Sequence, residues 1–162
     1  MVTGVISDTH GLIRPEALAA LQGSSLIVHA SDIGNEAVLH ALEQVAPVYA
    51  VRGNNDKSEW AEKIPTTNVL TIGKALVYMI HDIKELDFDP AAAGYHAVIS
   101  GHSHRPSILR RNGVLFINPG SAGPRRFQLP VAVARLHAHG HELDAQLIEL
   151  EIPRKKTVNR YS

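Results

Sequence analysis

The 162-residue chain contains no cysteine. This absence excludes disulfide bonds, a thiolate nucleophile and a cysteine-ligated zinc site. It permits either redox compartment, and we expect a cytoplasmic location. The amino terminus passes straight into an apolar run, so we expect no charged leader or cleavable segment.

The chain also has no net charge, no long apolar run and few aromatic residues. The 16 Lys and Arg residues balance the 16 Asp and Glu residues, so no net field attracts nucleic acid or an anionic membrane. No apolar run approaches the roughly 20 residues that span a bilayer. Only 5% of residues are aromatic, which provides no stacking platform for bases but neither selects nor excludes a nucleotide substrate. We therefore expect neither a membrane nor a nucleic acid as a partner.

The length predicts one domain that is large enough to bury an apolar core. We place this single domain at residues 1–152 and find no internal repeat. Residues 153–162 are rich in Lys and Arg, and we expect them to form an exposed basic tail. A homo-oligomer is compatible with the sequence but has no specific signature.

The first half of the chain alternates apolar runs with amphipathic segments. Short β-branched runs predict buried strands at residues 2–6, 25–30 and 47–51. One helix is predicted from Pro15, which suits a first turn, and another over residues 35–44, where Asn35 is the expected cap. This β-α-β-α-β order implies parallel strands with right-handed crossovers.

The second half predicts antiparallel hairpins. Asn112-Gly113 is the strongest turn signal, and two further strand pairs flank Gly73-Lys74 and Gly140. The predicted fold class is α/β, with two mixed β-sheets packed face to face as a sandwich flanked by helices.

Metal-type side chains follow the three strands predicted in the first half and a fourth predicted strand at residues 97–100. They lie in the segments Ser7-Asp8-Thr9-His10, Ser31-Asp32, Gly53-Asn54-Asn55-Asp56 and Gly101-His102-Ser103-His104. Ligands of such sheets bind in the crevice at the carboxyl ends of the strands, so we expect these segments to converge. Carboxylate, imidazole and amide donors suit first-row divalent cations. We interpret the pattern as a two-metal hydrolase site.

Each segment also has a simpler interpretation when it is taken alone. Asp32 could cap a turn, Asn54 could belong to an ordinary loop, and His81 could be a structural histidine at the end of an apolar strand. His29 is equally compatible with a core histidine and with support for a metal ligand. Only the spacing His102-x-His104 favours metal binding by itself, so the joint pattern decides the interpretation.

The series of motifs resembles the calcineurin-like metallophosphoesterase superfamily. The matching elements are Asp8-x-His10, Asp32, Gly53-Asn54, His81 and Gly101-His102-x-His104. Together with the short length, Asn118-Pro119-Gly120-Ser121 resembles the small bacterial and archaeal phosphodiesterase branch, which also includes a eukaryotic sorting-complex subunit used as a scaffold. The resemblance runs from residue 1 to about residue 150 and implies a four-layer fold ordered α-β-β-α.

The resemblance also implies a site that holds two divalent metal ions. Asp8, His10 and His104 would bind the first ion. Asn54, His81 and His102 would bind the second, and Asp32 would bridge both. Manganese is the metal that the resemblance favours, although these ligands also suit nickel, cobalt, iron or zinc.

The function implied is a metal-dependent phosphodiesterase or phosphatase that acts on a small phosphate ester, with nucleotides included. A hydroxide bridging the two ions would attack phosphorus in line, so no protein nucleophile is required. Asp32 and Asn55 are the candidate catalytic residues, while Asn55 and Arg105 are candidate substrate contacts. The alternative is a metal-binding scaffold for protein interaction with little or no turnover.

Three positions depart from the family pattern. Ser31 replaces the Gly that usually precedes the bridging Asp. Asn55 replaces a His that protonates the leaving group, and Asn cannot deliver a proton at neutral pH. Asp82 stands where Gly often follows His81; it could tune metal affinity, but a cap on the next turn is the favoured interpretation. Two other sets are interpreted as solvated surface: His137, His139 and His141, and the pair Arg125 and Arg126.

Overall fold

The structure is a computed structural model that describes residues 1–126 and 128–152. The basic tail predicted at residues 153–162 lies outside the described residues. Among the described residues, none of the helices combines the length and the apolarity needed to cross a bilayer.

Ten strands and two α-helices account for most of the regular structure in the described ranges. In chain order they are β1 (Val2–Ile6), α1 (Pro15–Leu21), β2 (Leu26–His29), α2 (Glu36–Glu43), β3 (Val48–Ala50), β4 (Thr67–Ile72), β5 (Ala75–Ile80), β6 (Ala97–Ile99), β7 (Ser107–Arg111), β8 (Val114–Asn118), β9 (Ala132–His139) and β10 (Glu142–Glu149). Short 3-10 helices lie at Glu59–Lys63 and Ile83–Glu85.

The described strands form two mixed sheets of five strands each. The first has the order β10-β9-β1-β2-β3, and the second has the order β4-β5-β6-β8-β7. In the first sheet β1, β2 and β3 are parallel, and the hairpin β9-β10 joins them antiparallel to β1. In the second sheet the central strands β5, β6 and β8 are parallel, and the edge strands β4 and β7 are antiparallel to their neighbours. The predicted β-α-β-α-β start and all three predicted hairpins are confirmed.

The two sheets pack face to face around a common apolar core. Val28 and Leu136 from the first sheet belong to the same buried cluster as Met79 and Ile117 from the second. Full burial of a side chain of this size contributes about 1.5–3 kcal/mol. The core therefore fixes the sheets against each other and brings their strand ends to one edge.

Both described α-helices cover the outer face of the first sheet. The Asn35 side chain accepts a hydrogen bond of 2.9 Å from the Ala37 N–H, so the predicted cap of α2 is confirmed. Val38 and Leu42 lie one helical turn apart, are buried and pack with Ile27 of β2. The predicted sandwich and its flanking helices are thus present on this side.

The outer face of the second sheet is covered differently. Val98 and Phe116 pack there with Tyr78 and Ala91, and Tyr78 makes an edge contact with Phe88 at a ring-centroid distance of 5.0 Å. The covering segment, residues 82–96, contains the 3-10 helix Ile83–Glu85 and loop residues. The fold class is confirmed, and its fourth layer consists of this segment rather than of an α-helix among the described residues.

Candidate metal centre

The loops at the carboxyl ends of the parallel strands interlock at one edge of the sandwich. The His10 N–H donates to the Asp32 carbonyl at 2.9 Å, which joins the loop after β1 to the loop after β2. The His102 N–H donates to Asp8 Oδ2 at 3.1 Å, which joins the loop after β6 of the second sheet to the loop after β1. The expected convergence of the motif segments is therefore what the fold produces.

Two groups of carboxylate and imidazole ligands lie within this edge. One contains Asp8, His10 and His104, and the other contains Asp32, His81 and His102; in each group the ligand atoms all lie within 4.8 Å of one another. In the first, His10 Nε2 and His104 Nε2 are 3.3 Å apart, and His104 Nε2 is 3.6 Å from Asp8 Oδ1. A divalent cation suits this combination, because it accepts lone pairs from both imidazoles and offsets the carboxylate charge.

The backbone is strained at these same residues. Seven non-glycine residues have a positive φ among the described residues, and six of them lie at this edge: Asp8, His10, Ser31, Asp32, His102 and His104. The seventh, Asn112, belongs to a hairpin turn. Such conformations cost on the order of 1–3 kcal/mol each and cluster at functional sites. The strain is independent support for a binding site here.

Two glycines allow the loops to approach the carboxylates. A Cβ at Gly53 would lie 2.2 Å from Asp32 Oδ1, and a Cβ at Gly101 would lie 2.8 Å from Asp8 Oδ2. Any larger residue would displace the carboxylate, which explains why Gly stands at both motif positions.

Burial and mutual repulsion control the charge of Asp8. Burial, together with the nearby carboxylate of Asp32, raises the pKa of Asp8 to about 7 even though hydrogen bonds from Ser7 and from the His102 N–H oppose the shift. Two carboxylates held this close in a buried place repel each other. A cation between them removes that repulsion, so the donor set fits a metal ion.

The histidines of the two groups favour the neutral form that a metal requires. Burial, and to a lesser extent the charge of Arg126, lowers the pKa of His104 to about 4. Burial also lowers the pKa of His81. Both rings therefore present lone pairs at neutral pH, as metal ligands must.

His29 is buried behind the ligands and contacts two of the loops that carry them. Its Nδ1 accepts the Ser31 N–H at 3.1 Å, which requires the proton on Nε2, and Nε2 lies 2.9 Å from Thr9 Oγ1. Burial lowers the pKa of His29 to about 4, so the ring is neutral. His29 thus combines the two alternatives left open by the sequence: it is a core histidine and it supports the loops that carry Asp8, His10 and Asp32.

Asp56 is a structural anchor that the sequence pattern missed. Its buried carboxylate accepts backbone N–H groups from Ile33 at 3.1 Å, Gly34 at 2.9 Å and Gly53 at 2.9 Å. It thereby joins the loop after β2 to the loop after β3. In the sequence, Asp56 is only an Asp at the end of an Asn-rich loop. Its three donors are backbone N–H groups, and no side-chain motif reveals such contacts.

The remaining predicted site residues lie at the rim. Asn54 and Asn55 are exposed, and the Asn55 N–H donates to Asp32 Oδ1 at 3.3 Å. Arg105 is also exposed, and its N–H donates to Ser103 Oγ at 3.2 Å. The structure thus brings these residues to the rim of the ligand groups without fixing their side chains on them. Arg126, interpreted from the sequence as surface, lies close enough to lower the pKa of His104.

The two-sheet fold and the paired carboxylate–histidine groups at its strand ends define a metal-binding α/β hydrolase class. The chain belongs to the calcineurin-like phosphoesterase superfamily, whose domain profile matches residues 1–141. A probable metallophosphoesterase from Methanothermobacter thermautotrophicus is 34% identical, and the alignment covers 98% of both chains. The chain is therefore a phosphoesterase hydrolase by family.

Two solved structures share the fold at lower identity. An archaeal phosphodiesterase is 23% identical with a TM-score of 0.76, and the match covers 91% of this chain and 100% of that one. Vps29 from Entamoeba histolytica complexed with Zn²⁺ is 17% identical with a TM-score of 0.70, over 92% of this chain and 99% of that one. These identities establish the common fold alone.

Proposed function

We propose that this protein is a phosphodiesterase that depends on two divalent metal ions. The observation that supports it best is the pair of adjacent ligand groups, in which Asp32 is close enough to Asp8 to raise its pKa. Asp32 is then the shared ligand, and Asn54 completes the second group through its amide oxygen. The shared fold of the archaeal phosphodiesterase supports the diester preference.

The residues around the metals would have different roles in binding the substrate and in catalysis. When bound, two divalent cations activate water and offset the charge that develops on the phosphate. The neutral imidazoles leave the site cationic once metals bind, so a phosphate anion is attracted to it. The positive charge of Arg126, which is near enough to lower the pKa of His104, would also attract the phosphate anion. We retain manganese and a cytoplasmic location as proposals from the sequence.

Arg105 would act on the alcohol side of the substrate. It lines a groove of about 330 Å³ that also includes Ser103, Leu109, Arg111 and Phe116. The groove adjoins the ligand loop, because Ser103 lies between His102 and His104. Guanidinium groups beside apolar side chains suit a small phosphate ester whose alcohol part carries an apolar group, and a nucleotide meets this description.

Metal-dependent hydrolysis is the direct test of the proposal. We expect metal-stripped protein to be inactive on a bis-aryl phosphodiester and to regain activity when a divalent cation is restored. Manganese, nickel, cobalt, zinc and magnesium would be added separately, and hydrolysis of an aryl monoester would be measured in parallel. Faster hydrolysis of the monoester than of the diester would contradict the phosphodiesterase assignment.

A scaffold remains the second candidate because Vps29, which shares the fold, also binds a metal in the Zn²⁺ complex. Metal binding without turnover of either ester would favour the scaffold. The residue that would then explain the inactivity is Asn55.

Asn55 also predicts a leaving-group preference. Without a side chain that donates a proton, the enzyme should hydrolyse aryl diesters faster than alkyl diesters by about 10²-fold or more, the usual contribution of a general acid. An Asn55→His variant should narrow this ratio by accelerating the alkyl substrate, with the aryl rate as the internal control. Equal wild-type rates on the two substrates would contradict this role of Asn55.

A further inference from the structure

Two residues that depart from the family pattern lie against the same ligand group. Ser31 and Asp82 both stand where the pattern has Gly. Ser31 Oγ contacts Nδ1 of His81, and Asp82 Oδ2 lies 3.7 Å from His102 Nε2. Each departure thus places an oxygen at one ring nitrogen of a predicted metal ligand.

The other nitrogen of each ring faces the group itself. His81 Nε2 is 3.0 Å from His102 Nδ1 and 3.6 Å from Asp32 Oδ2. A neutral imidazole offers a lone pair from one nitrogen only while the other carries the proton. Metal-binding histidines commonly donate that N–H to an oxygen, which fixes both the tautomer and the ring orientation. Ser31 occupies the position of such an acceptor at His81. Asp82 does not form a hydrogen bond with His102 at 3.7 Å, but its carboxylate lies on the Nε2 side of the ring, where its charge favours the proton on Nε2.

The two oxygens are themselves held in place. Asp82 Oδ1 accepts the Lys84 N–H at 3.0 Å, so Asp82 caps the 3-10 helix Ile83–Glu85, as the sequence interpretation favoured. The other oxygen of the same carboxylate, Oδ2, faces His102. Ser31 is fully buried with a φ of 106°, a conformation that is costly for any residue except Gly. A serine at this position brings its hydroxyl to His81 at the expense of backbone strain.

The first ligand group lacks an equivalent arrangement at His104. Nδ1 of His104 is buried and has no hydrogen-bond partner among the described residues, while its Nε2 faces Asp8. Nothing in the described chain therefore fixes the tautomer of His104, in contrast to His81. The two groups differ in how well their imidazoles are oriented before a metal arrives.

We propose that Ser31 and Asp82 are positioning residues that orient His81 and His102, so that the group containing Asp32 binds its cation more tightly than the group containing Asp8. This inference rests on the proposed metal centre but not on turnover. It assigns a purpose to two residues that the family pattern alone would class as exceptions.

Calorimetric titration of the metal-stripped full chain with Mn²⁺ tests the proposal. The wild type should show two binding steps of different affinity. Ser31→Ala should weaken the tighter step by about 10–100-fold, the usual effect of losing a hydrogen-bond partner of a metal ligand. Asp82→Asn should weaken the same step by a smaller factor, because it removes a charge beside His102 rather than a hydrogen bond. Asn can still accept the Lys84 N–H, so the cap survives and only the charge toward His102 is lost.

A second serine variant separates positioning from folding. Ser31→Gly removes the hydroxyl and relieves the positive φ, so the metal-free variant should be at least as stable to heat as the wild type while binding metal as weakly as Ser31→Ala. In ¹⁵N NMR spectra of metal-free protein, His81 should carry its proton on Nδ1 in the wild type, and in Ser31→Gly the tautomer that donates from Nε2 to His102 Nδ1 should gain population. A purely structural role would not combine retained stability with lost affinity.

Asp87→Asn is the matched charge control. Asp87 lies in the same segment as Asp82, is exposed and has no side-chain hydrogen bond among the described residues, so its variant should bind Mn²⁺ like the wild type. Unchanged affinity in the Ser31 and Asp82 variants, or a loss confined to the weaker step, would overturn the inference. Wild-type protein that binds metal without hydrolysing esters would count against the proposed function, and the same variants would still decide this inference.

Discussion

Asp32→Ala should abolish both metal binding and phosphodiester hydrolysis. Asp32 is a member of one ligand group, and its carboxylate is close enough to Asp8 in the other to raise the pKa of Asp8. Without it, the Asp32 group retains only imidazole and amide donors, which offset none of the cation's charge. We expect the rate to fall by at least about 10²–10³-fold, the loss seen when a group that stabilises transition-state charge is removed. Calorimetry with Mn²⁺ and the bis-aryl diester assay measure both effects.

Asp32→Asn distinguishes loss of the site from loss of the fold. The amide keeps the shape of Asp32 and can still accept the Asn55 N–H, which now bonds to Oδ1 at 3.3 Å. It also removes the repulsion of Asp8, so the metal-free variant should unfold at a temperature no lower than the wild type. His137→Ala, in β9, should leave binding and hydrolysis unchanged. Activity retained by either Asp32 variant would refute the site assignment.

The convergence of Asp8 and Asp32 could be predicted from strand geometry. They follow the neighbouring parallel strands β1 and β2, and the parallel strands of one sheet end at a common edge. His102 follows β6 of the second sheet, so its place beside them depends on how the two sheets pack. The hairpins were equally predictable from local chemistry. Asn112 and Gly113 have φ values of 53° and 79°, as a two-residue turn with positive φ at both positions demands.

Contacts between loops that are distant in the chain could not be predicted in the same way. Asp56 binds Ile33 across 23 positions, and the sequence shows neither the distance nor the direction of that carboxylate. The same holds for Ser31 and His81, which are 50 positions apart. A fourth layer was expected, but its irregular form was not, because Phe88 packs on Tyr78 through a segment without helical or strand periodicity.

Asp56→Asn should lower the stability of the protein more than Asp87→Asn, the same substitution at an exposed position. The carboxylate accepts three backbone N–H groups, two of them through Oδ2. An amide in either orientation places its NH₂ group against at least one of these donors, which leaves a buried donor unsatisfied. We expect a loss of about 3 kcal/mol in the free energy of unfolding and a decrease of roughly 6–12 °C in Tm.

Thermal unfolding of metal-free protein isolates this effect, because a bound metal would add its own stabilisation. The loops that Asp56 joins carry Asp32 and Asn54, so Asp56→Asn should also weaken Mn²⁺ binding although Asp56 is not a predicted ligand. Asp87→Asn removes an exposed carboxylate and should change neither Tm nor affinity. An Asp56→Asn protein as stable as the Asp87 control would show that the three hydrogen bonds do not hold the loops together. Lower stability with full metal affinity would instead show that the ligand groups form without this anchor.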